Sequence, residues 1–211
     1  MNRTDIIFDF ETIGANVFKC PAVDCAFATF SWERFLLNPY SFKNPPEVKK
    51  FKLSILDQYK NYGFTYEESD LEFWASKPKE VRDNLKPTSS DLTVSEFVDG
   101  VIEYLKDQPK ISYWWSRSNT FDPIILQRLF HTQNKTSELN QYLKFWTVRD
   151  TRTHIDAKMN YSTNNGFVPV SNKDEWDLQF KAHDSSHDII ADIMRLQAIH
   201  RAEHDLEILT L

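Results

Sequence analysis

The chain has 211 residues, of which 41% are hydrophobic and 14% are aromatic, and this composition excludes an intrinsically disordered protein. The length fits one domain, which we expect to cover residues 1–211. The formal net charge of −6 argues against non-specific binding of polyanions by the whole surface. It does not exclude a nucleic-acid substrate, because clustered acids at a metal site lower the total charge and a local basic track is enough to bind a strand.

The sequence carries no sign of membrane insertion or export. No apolar run approaches the ~18–20 residues needed to cross a bilayer, and the first residues lack the apolar core of a signal peptide. Cys20 and Cys25 are too few for a disulfide scaffold, and their spacing alone matches no zinc motif. We therefore expect no membrane partner and a reducing, cytoplasmic location, which would be that of a host cell if the chain is encoded by a phage.

Two acidic residues stand in the first predicted strand, residues 6–13, which is apolar and ends at the turn-forming Gly14. Residues i and i+2 of a strand project from the same face, so Asp9 and Glu11 point the same way. Two acids on one face of a largely buried strand repel each other and resist desolvation, unless a cation lies between them. The pair therefore predicts a cation site, and the alternative interpretation is an edge strand with solvated acids.

The remaining elements follow from hydrophobic periodicity and turn residues. Residues 25–32 and 48–56 are predicted strands, separated by a proline-containing loop. The clearest helix is 93–106, where Thr93 and Glu96 match a capping box. The other predicted elements are one or two short helices within 70–85 interrupted at Pro78, a strand at 111–115, a helix at 121–130, a strand at 144–150, a short helix from Thr151, a turn at 164–166 and a helix at 185–205.

The order of these elements indicates an α/β fold. Three strands are followed by a helix, and then strand, helix, strand and helix alternate. Such an order is typical of a mixed sheet with flanking helices, in which the first strand can be central.

Further acids stand where helices begin. Asp122 opens the predicted helix at 121–130, where the helix dipole alone is a sufficient reason for a carboxylate. Ser185 and Asp188 resemble a capping box, which predicts that Asp188 lies in the first helical turn and His183 in the preceding loop. A loop histidine five residues before a helical acid can face the same site. Without the other acids, an exposed surface histidine would be the better interpretation of His183.

The ordered set of Asp9-Phe10-Glu11-Thr12, Phe121-Asp122 and His183 with Asp188 resembles the three motifs of the DEDDh 3′–5′ exonucleases. Further stretches resemble the members from T-even bacteriophages, namely residues 9–14, 72–74, 82–84, 116–117, 145–146, 149–152 and 182–185. The resemblance implies a ribonuclease-H-like mixed sheet of three antiparallel strands plus parallel strands. It also implies a metal-dependent enzyme that releases 5′-mononucleotides from the 3′ end of single-stranded DNA. The alternatives are an exoribonuclease and a catalytically silent nucleic-acid-binding module of the same fold.

By the same resemblance, two Mg²⁺ or Mn²⁺ ions would be held by the four carboxylates Asp9, Glu11, Asp122 and Asp188. His183 would act as the general base, in its neutral form. His187 and Asp192 have the same spacing as His183 and Asp188, so spacing alone does not identify the base. The predicted start of the helix favours His183, because His187 would be held inside the first turn.

The resemblance also implies substrate contacts. Thr12 and Ile13 are expected to meet the terminal nucleotide, and Arg149 and Arg152 are candidate phosphate contacts. Asp150 has two interpretations, as a cap of the following helix or as a partner of one of these arginines. The aromatic candidates for base stacking are Phe10, Trp115 and Trp146. For each of them, packing in the core is the alternative interpretation.

Overall fold

The computed structural model describes residues 3–160, 162–163, 165–168, 170, 176 and 179–206. Its centre is a five-stranded sheet in the order β3-β2-β1-β4-β5. β1, β2 and β3 are antiparallel neighbours, whereas β4 and β5 extend the sheet in parallel on the other side of β1. The predicted mixed sheet with a central first strand is therefore confirmed. The strands are β1 (Thr4–Thr12), β2 (Ala22–Ser31), β3 (Val48–Lys52), β4 (Ile111–Ser116) and β5 (Val148–Asp150).

Helices cover both faces of the sheet, and no described helix has the length and apolarity to cross a membrane. The break at Pro78 and the capping box of Thr93 and Glu96 are confirmed. The helices of the described residues are α1 (Trp32–Leu37), α2 (Ile55–Tyr62), α3 (Glu68–Ala75), α4 (Lys79–Asp83), α5 (Val94–Lys106), α6 (Asp122–Thr132), α7 (Thr136–Tyr142), α8 (Thr151–Lys158) and α9 (Ser185–Ala202).

Two predicted strands are shorter than expected. The strand predicted at 48–56 ends at Lys52, because the Ser54 side chain accepts a hydrogen bond from the backbone N–H of Asp57 and starts α2. In the strand predicted at 144–150, residues 145–147 form a 3₁₀ turn and only 148–150 join the sheet. The Thr147 hydroxyl donates to the Lys144 carbonyl at 2.6 Å, a local bond that competes with strand pairing. The turn predicted at 164–166 lies partly outside the described residues.

The alternating side chains of β1 divide the core in two. Phe8 and Phe10 pack in the core cluster beneath α5 and α6, together with Phe97 of α5. Ile7 packs in the opposite cluster, together with Ile189 of α9. Since residues two apart share a face, the carboxylates that follow Ile7 along β1 are directed toward α9. The pattern of one strand thus sets the position of the candidate site.

Candidate active site

Three carboxylates from opposite ends of the chain meet between β1 and α9. Asp9 and Glu11 project from β1, and Asp188 lies in the first turn of α9. One ligand oxygen from each of the three lies within 4.8 Å of the others. The three are half-buried and line a cavity of about 550 Å³. This grouping has the donors and the spacing to hold a cation.

The fourth predicted acid, Asp122, lines the same cavity from the start of α6. Its side chain is only 3% exposed. Its Oδ1 accepts a hydrogen bond of 3.1 Å from the backbone N–H of Phe10, the residue between Asp9 and Glu11. Asp122 therefore does more than place a carboxylate at the positive end of a helix dipole, because it links α6 to the strand that carries the other acids.

The enclosed carboxylates hold protons more tightly than exposed ones. Burial, and next the charge of Asp122, raise the pKa of Asp9 well above its usual range. Burial and the neighbouring Asp188 raise the pKa of Glu11 to about 9. Burial is also the main reason that the pKa values of Asp122 and Asp188 are raised to about 7. Because four such groups resist simultaneous ionisation, the set favours a bound divalent cation, and its oxygen donors suit Mg²⁺ or Mn²⁺.

The start of α9 differs in one detail from the sequence prediction. Asp184 is the N-cap, and its Oδ1 accepts a hydrogen bond of 3.0 Å from the backbone N–H of Ser186. The predicted capping box of Ser185 and Asp188 is therefore wrong. The cap position falls one residue earlier, and the carboxylate of Asp188 faces Glu11 instead of the cap. Asp188 nevertheless lies in the first helical turn, as predicted.

A small ionic network holds this helix start against the sheet. The Ser185 hydroxyl donates a hydrogen bond of 2.5 Å to the buried Asp24 of β2. The Lys50 ammonium lies between two carboxylates, 3.2 Å from Asp24 and 3.1 Å from Asp184. Lys50 also lowers the pKa of Glu11, although burial outweighs that effect. The network joins β2, β3 and α9 beside the cluster of acids.

His183 lies in the loop before α9 and lines the cavity. Its backbone has a φ of +62°, and its backbone N–H acts to lower the pKa of Asp188, although burial of Asp188 outweighs that effect. Its ring makes edge contacts with Phe73 and Trp74, with centroids 5.6 and 5.8 Å away. Burial, and next the charge of Lys77, lower the pKa of His183. The neutral imidazole is therefore favoured at this position.

The competing histidine, His187, has a different environment. Its ring stacks on Phe42 with the centroids 5.4 Å apart. Its Nδ1 accepts a hydrogen bond of 3.3 Å from the backbone N–H of Lys181. Among the described residues that line the cavity, His183 is present and His187 is not.

Asp192 is the acid that follows His187 with the same spacing. The charge of its carboxylate is already balanced by arginine side chains. Its Oδ1 accepts hydrogen bonds of 2.6 Å from Arg117 and from Arg195, and its Oδ2 accepts one of 2.7 Å from the Thr151 hydroxyl. A carboxylate with two guanidinium partners has little need of a metal ion. Within the described part of the chain, both of these arginines form their ion pair with Asp192, and neither forms one with Asp188.

A family model described as the 3′–5′ exoribonuclease Rv2179c-like domain matches residues 4–200. The chain belongs to this family. The Rv2179c-like chain is accordingly a 3′–5′ exonuclease, a hydrolase of phosphodiester bonds in nucleic acid, and the predicted resemblance to such exonucleases is confirmed.

One curated relative of the Rv2179c-like chain is the exodeoxyribonuclease of Enterobacteria phage T4. The two are 28% identical over an alignment of 220 positions, which covers 96% of this chain and 92% of the relative. This similarity agrees with the predicted likeness to exonucleases of T-even phages.

Solved structures of E. coli exonuclease I are similar in fold. A zinc-bound complex with single-stranded DNA has a TM-score of 0.63 at 15% identity over 98% of this chain. A complex with a dT13 oligonucleotide has a TM-score of 0.58 at 14% identity over 96% of this chain. The Rv2179c-like chain spans only 42% of exonuclease I in each comparison. The likeness confirms the predicted ribonuclease-H-like fold.

The predicted contacts with the terminal nucleotide differ in their surroundings. Thr12 lines a second cavity of about 340 Å³ next to the first, and its carbonyl accepts a hydrogen bond of 3.1 Å from the Trp74 indole. Ile13 is 5% exposed and packs against Val23 and Trp74. Thr12 thus lines a cavity beside the acids but is only 8% exposed, and its hydroxyl donates a hydrogen bond of 2.6 Å to the Gly14 carbonyl. The side chain of Ile13 belongs to the packing, and both nucleotide contacts stay predictions.

The two predicted phosphate contacts lie in different places. Arg152 of α8 lines the cavity, and its buried Nε has no hydrogen-bond partner among the described residues. Arg149 lies outside the cavity lining, with its guanidinium 4.1 Å from the ring centroid of Tyr113. Asp150 caps α8 by accepting a hydrogen bond of 2.7 Å from the backbone N–H of Thr153, which confirms the first of its two interpretations.

Among the stacking candidates, Phe10 and Trp115 are buried in the core, whereas Trp146 is 61% exposed. Sequence reasoning missed Arg117 and Arg195, which line the cavity beside Asp192. A signal for Arg195 was present, because it follows Asp188 by seven residues and Asp192 by three on one helical face. Arg117 directly follows β4, but nothing in its own spacing marks it.

Proposed function

We propose that this chain, as a single domain, removes 5′-mononucleotides from the 3′ end of single-stranded DNA. Two Mg²⁺ or Mn²⁺ ions would be held by Asp9, Glu11, Asp122 and Asp188, with His183 as the general base. The observation that carries this proposal is the convergence of the four carboxylates and the histidine in one cavity.

The donor set supports the metal ions. All four groups offer carboxylate oxygens, and each has a raised pKa because it is enclosed with others of its kind. The charges of Asp122, Glu11 and Asp188 act on Asp9, so its carboxylate would hold the bound ions together with theirs. Bound divalent ions would supply an activated water and stabilisation of the leaving oxygen.

The environment of His183 supports its role as base. Its lowered pKa keeps the imidazole neutral at pH 7, so the ring can accept a proton from the attacking water. His183 lines the same cavity as Asp188, so its ring lies beside the acids. After attack, the protonated ring can release its proton to solvent through the open cavity.

Two side chains are suited to hold the strand. Arg152 lines the cavity and its buried Nε has no hydrogen-bond partner among the described residues, and a phosphate oxygen would supply one. Thr12 lines the adjoining cavity, where Phe73 and Phe121 offer apolar surface for a terminal nucleoside. The two cavities share Glu11 and His183, so a strand crossing from one to the other would pass the acids.

DNA is the first candidate substrate, because the curated phage relative that covers nearly the whole chain is an exodeoxyribonuclease. RNA is the second, because the matching family model is described as an exoribonuclease domain. The two substrates differ at the 2′-hydroxyl group of the sugar, and a comparison of DNA with RNA as substrates tests whether the enzyme distinguishes them.

The test offers 5′-labelled single-stranded DNA, single-stranded RNA and blunt duplex DNA to the protein, with Mg²⁺ or with EDTA. We expect stepwise shortening of single strands, fastest for DNA, and its loss in EDTA and in Asp9→Asn. Asp107→Asn, an exposed acid beyond the end of α5, is the matched control and should keep full activity. Endonucleolytic cuts, or full activity of Asp9→Asn, would contradict the mechanism, and faster shortening of RNA would reverse the substrate preference.

A silent binding module is distinguished by metal titration. In calorimetry, the proposed enzyme should bind Mn²⁺, and Asp9→Asn and Asp188→Asn should each weaken the affinity for Mn²⁺. A silent module should show no metal binding that depends on these carboxylates.

A further inference from the structure

An exposed pair of aromatic side chains lies outside the active site. Phe145 and Trp146 form the 3₁₀ turn before β5 and are 80% and 61% exposed. Their rings meet edge to face, with centroids 4.9 Å apart. A pair of large exposed rings is costly in water and marks a candidate interaction surface. We call Phe145, Trp146 and Arg149 the aromatic platform.

The surroundings of the aromatic platform are positively charged. Lys144 precedes it and lines a cavity of about 440 Å³ together with Lys106 and Lys110, and no carboxylate stands among the described lining residues. On the other side, the Arg149 guanidinium donates a hydrogen bond of 2.9 Å to the Trp146 carbonyl. In a chain with a formal net charge of −6, this local excess of cations favours an anionic partner.

The aromatic platform is continuous with the active site along the edge of the sheet. β5 is the edge strand, and it leads from Trp146 to Asp150, which caps α8. Arg152, in the first turn of α8, lines the active-site cavity. The three residues of β5 cover about 10 Å, and Thr147 and Thr151 lie between the ends of this strand and the two side chains that the strand connects, Trp146 and Arg152.

We propose that the aromatic platform binds the part of a single-stranded nucleic acid that extends in the 5′ direction from the active site. Its bases stack on Trp146 and Phe145, and its phosphates contact Arg149 and Lys144. The inference rests on the proposed function and deepens it, because it makes the affinity of the enzyme depend on strand length. It also gives Arg149 a phosphate contact outside the cavity.

The test compares Trp146→Ala with the wild type on a dinucleotide and on an oligonucleotide of about 12 nucleotides, within the usual size of single-strand sites. We expect the KM for the longer strand to rise about ten-fold, because one stacking contact is lost. The KM and kcat for the dinucleotide should not change, and Trp146→Phe should recover most of the affinity. Tyr59→Ala, which removes an aromatic of 58% exposure from α2, is the matched control.

An unchanged KM of Trp146→Ala for the longer strand would overturn the inference, and so would an equal rise for both substrates. A wild-type protein that shortens neither substrate would contradict the proposed function instead. In that case, fluorescence anisotropy with the labelled longer strand in EDTA still tests the platform. Weaker binding by Trp146→Ala than by the wild type would support it, and equal binding would overturn it.

Discussion

The Ser185 hydroxyl donates a hydrogen bond of 2.5 Å to the buried carboxylate of Asp24, and this bond joins α9 to β2. Asp24 is the cross-strand partner of Glu11, and Asp188 follows Ser185 within the first turn of α9. The bond therefore helps to set the separation between an acid on a helix and an acid on a strand. Metal sites commonly depend on such supporting contacts to orient their ligands.

We expect Ser185→Ala to lower the free energy of unfolding by about 1–3 kcal/mol, because Asp24 loses a partner in a buried position. We also expect a loss of about ten-fold or more in Mn²⁺ affinity, measured by calorimetry on the folded variant. Ser186→Ala, in the same turn, is the control and should change neither quantity by much. Unaltered Mn²⁺ affinity in Ser185→Ala would show that the bond supports only the fold.

The stability of the metal-free protein should fall as pH rises. The pKa of Glu11 is raised to about 9 and those of Asp122 and Asp188 to about 7, against about 4 in an unfolded chain. The folded state therefore binds more protons than the unfolded state. The stability that these three groups contribute is fully present below about pH 4 and is lost as the pH rises through 7 and 9. Thermal unfolding in EDTA from about pH 5 to about pH 9 measures this loss.

Mg²⁺ should remove most of that pH dependence, because a bound cation favours the ionised carboxylates. Glu11→Gln should also flatten the stability curve in EDTA while abolishing activity. A metal-free protein that becomes more stable between about pH 5 and about pH 9 would contradict the like-charge interpretation of the site.

Much of the site could be predicted because its information is local. The alternation of Ile7, Asp9 and Glu11 along β1 defines a face, and the strand-to-helix junction defines the position of Asp122. The same reasoning placed Asp188 in the first turn of α9, even though the cap is Asp184. Short-range patterns therefore placed each acid within a strand or at the start of a helix, and the resemblance to the DEDDh exonucleases joined them into one predicted site.

The rest depends on contacts between distant parts of the chain. Ser185 and Asp24 are 161 residues apart, and Arg117 and Asp192 are 75 residues apart. No periodicity links such residues, so the neutralisation of Asp192 and the true role of Ser185 could not be foreseen. The position of Arg149 could not be foreseen either, because only residues 148–150 of the predicted strand 144–150 join the sheet.

Exchanging the two histidines for alanine should separate their roles. His183→Ala should lower kcat by about 10²–10⁴-fold, because a general base is lost, while Mn²⁺ binding persists. His187→Ala should keep near-normal kcat, because its ring stacks on Phe42 away from the acids. Since the pKa of His183 is lowered, wild-type activity should persist below the usual histidine pKa of about 6.5 as pH falls. Loss of activity in His187→Ala alone would reverse the assignment.

Arg152 provides the clearest separation of substrate binding from stability. Its buried Nε has no partner among the described residues, so Arg152→Ala should leave the free energy of unfolding unchanged or slightly higher. The same variant should raise the KM for a single strand about ten-fold and reduce the slope of log affinity against log salt concentration by about one, as expected for one lost phosphate contact. Steady-state kinetics at several salt concentrations and urea unfolding measure the two effects.

Arg195→Ala is the matched comparison for Arg152→Ala. Arg195 donates a hydrogen bond of 2.6 Å to Asp192, so its removal leaves a buried carboxylate with one guanidinium fewer. We expect this variant to lose about 1–3 kcal/mol of stability, because Asp192 loses one buried partner and keeps Arg117 and the Thr151 hydroxyl. If Arg152→Ala were destabilised to a similar extent, its guanidinium would have a structural partner, and its assignment as a phosphate contact would fail.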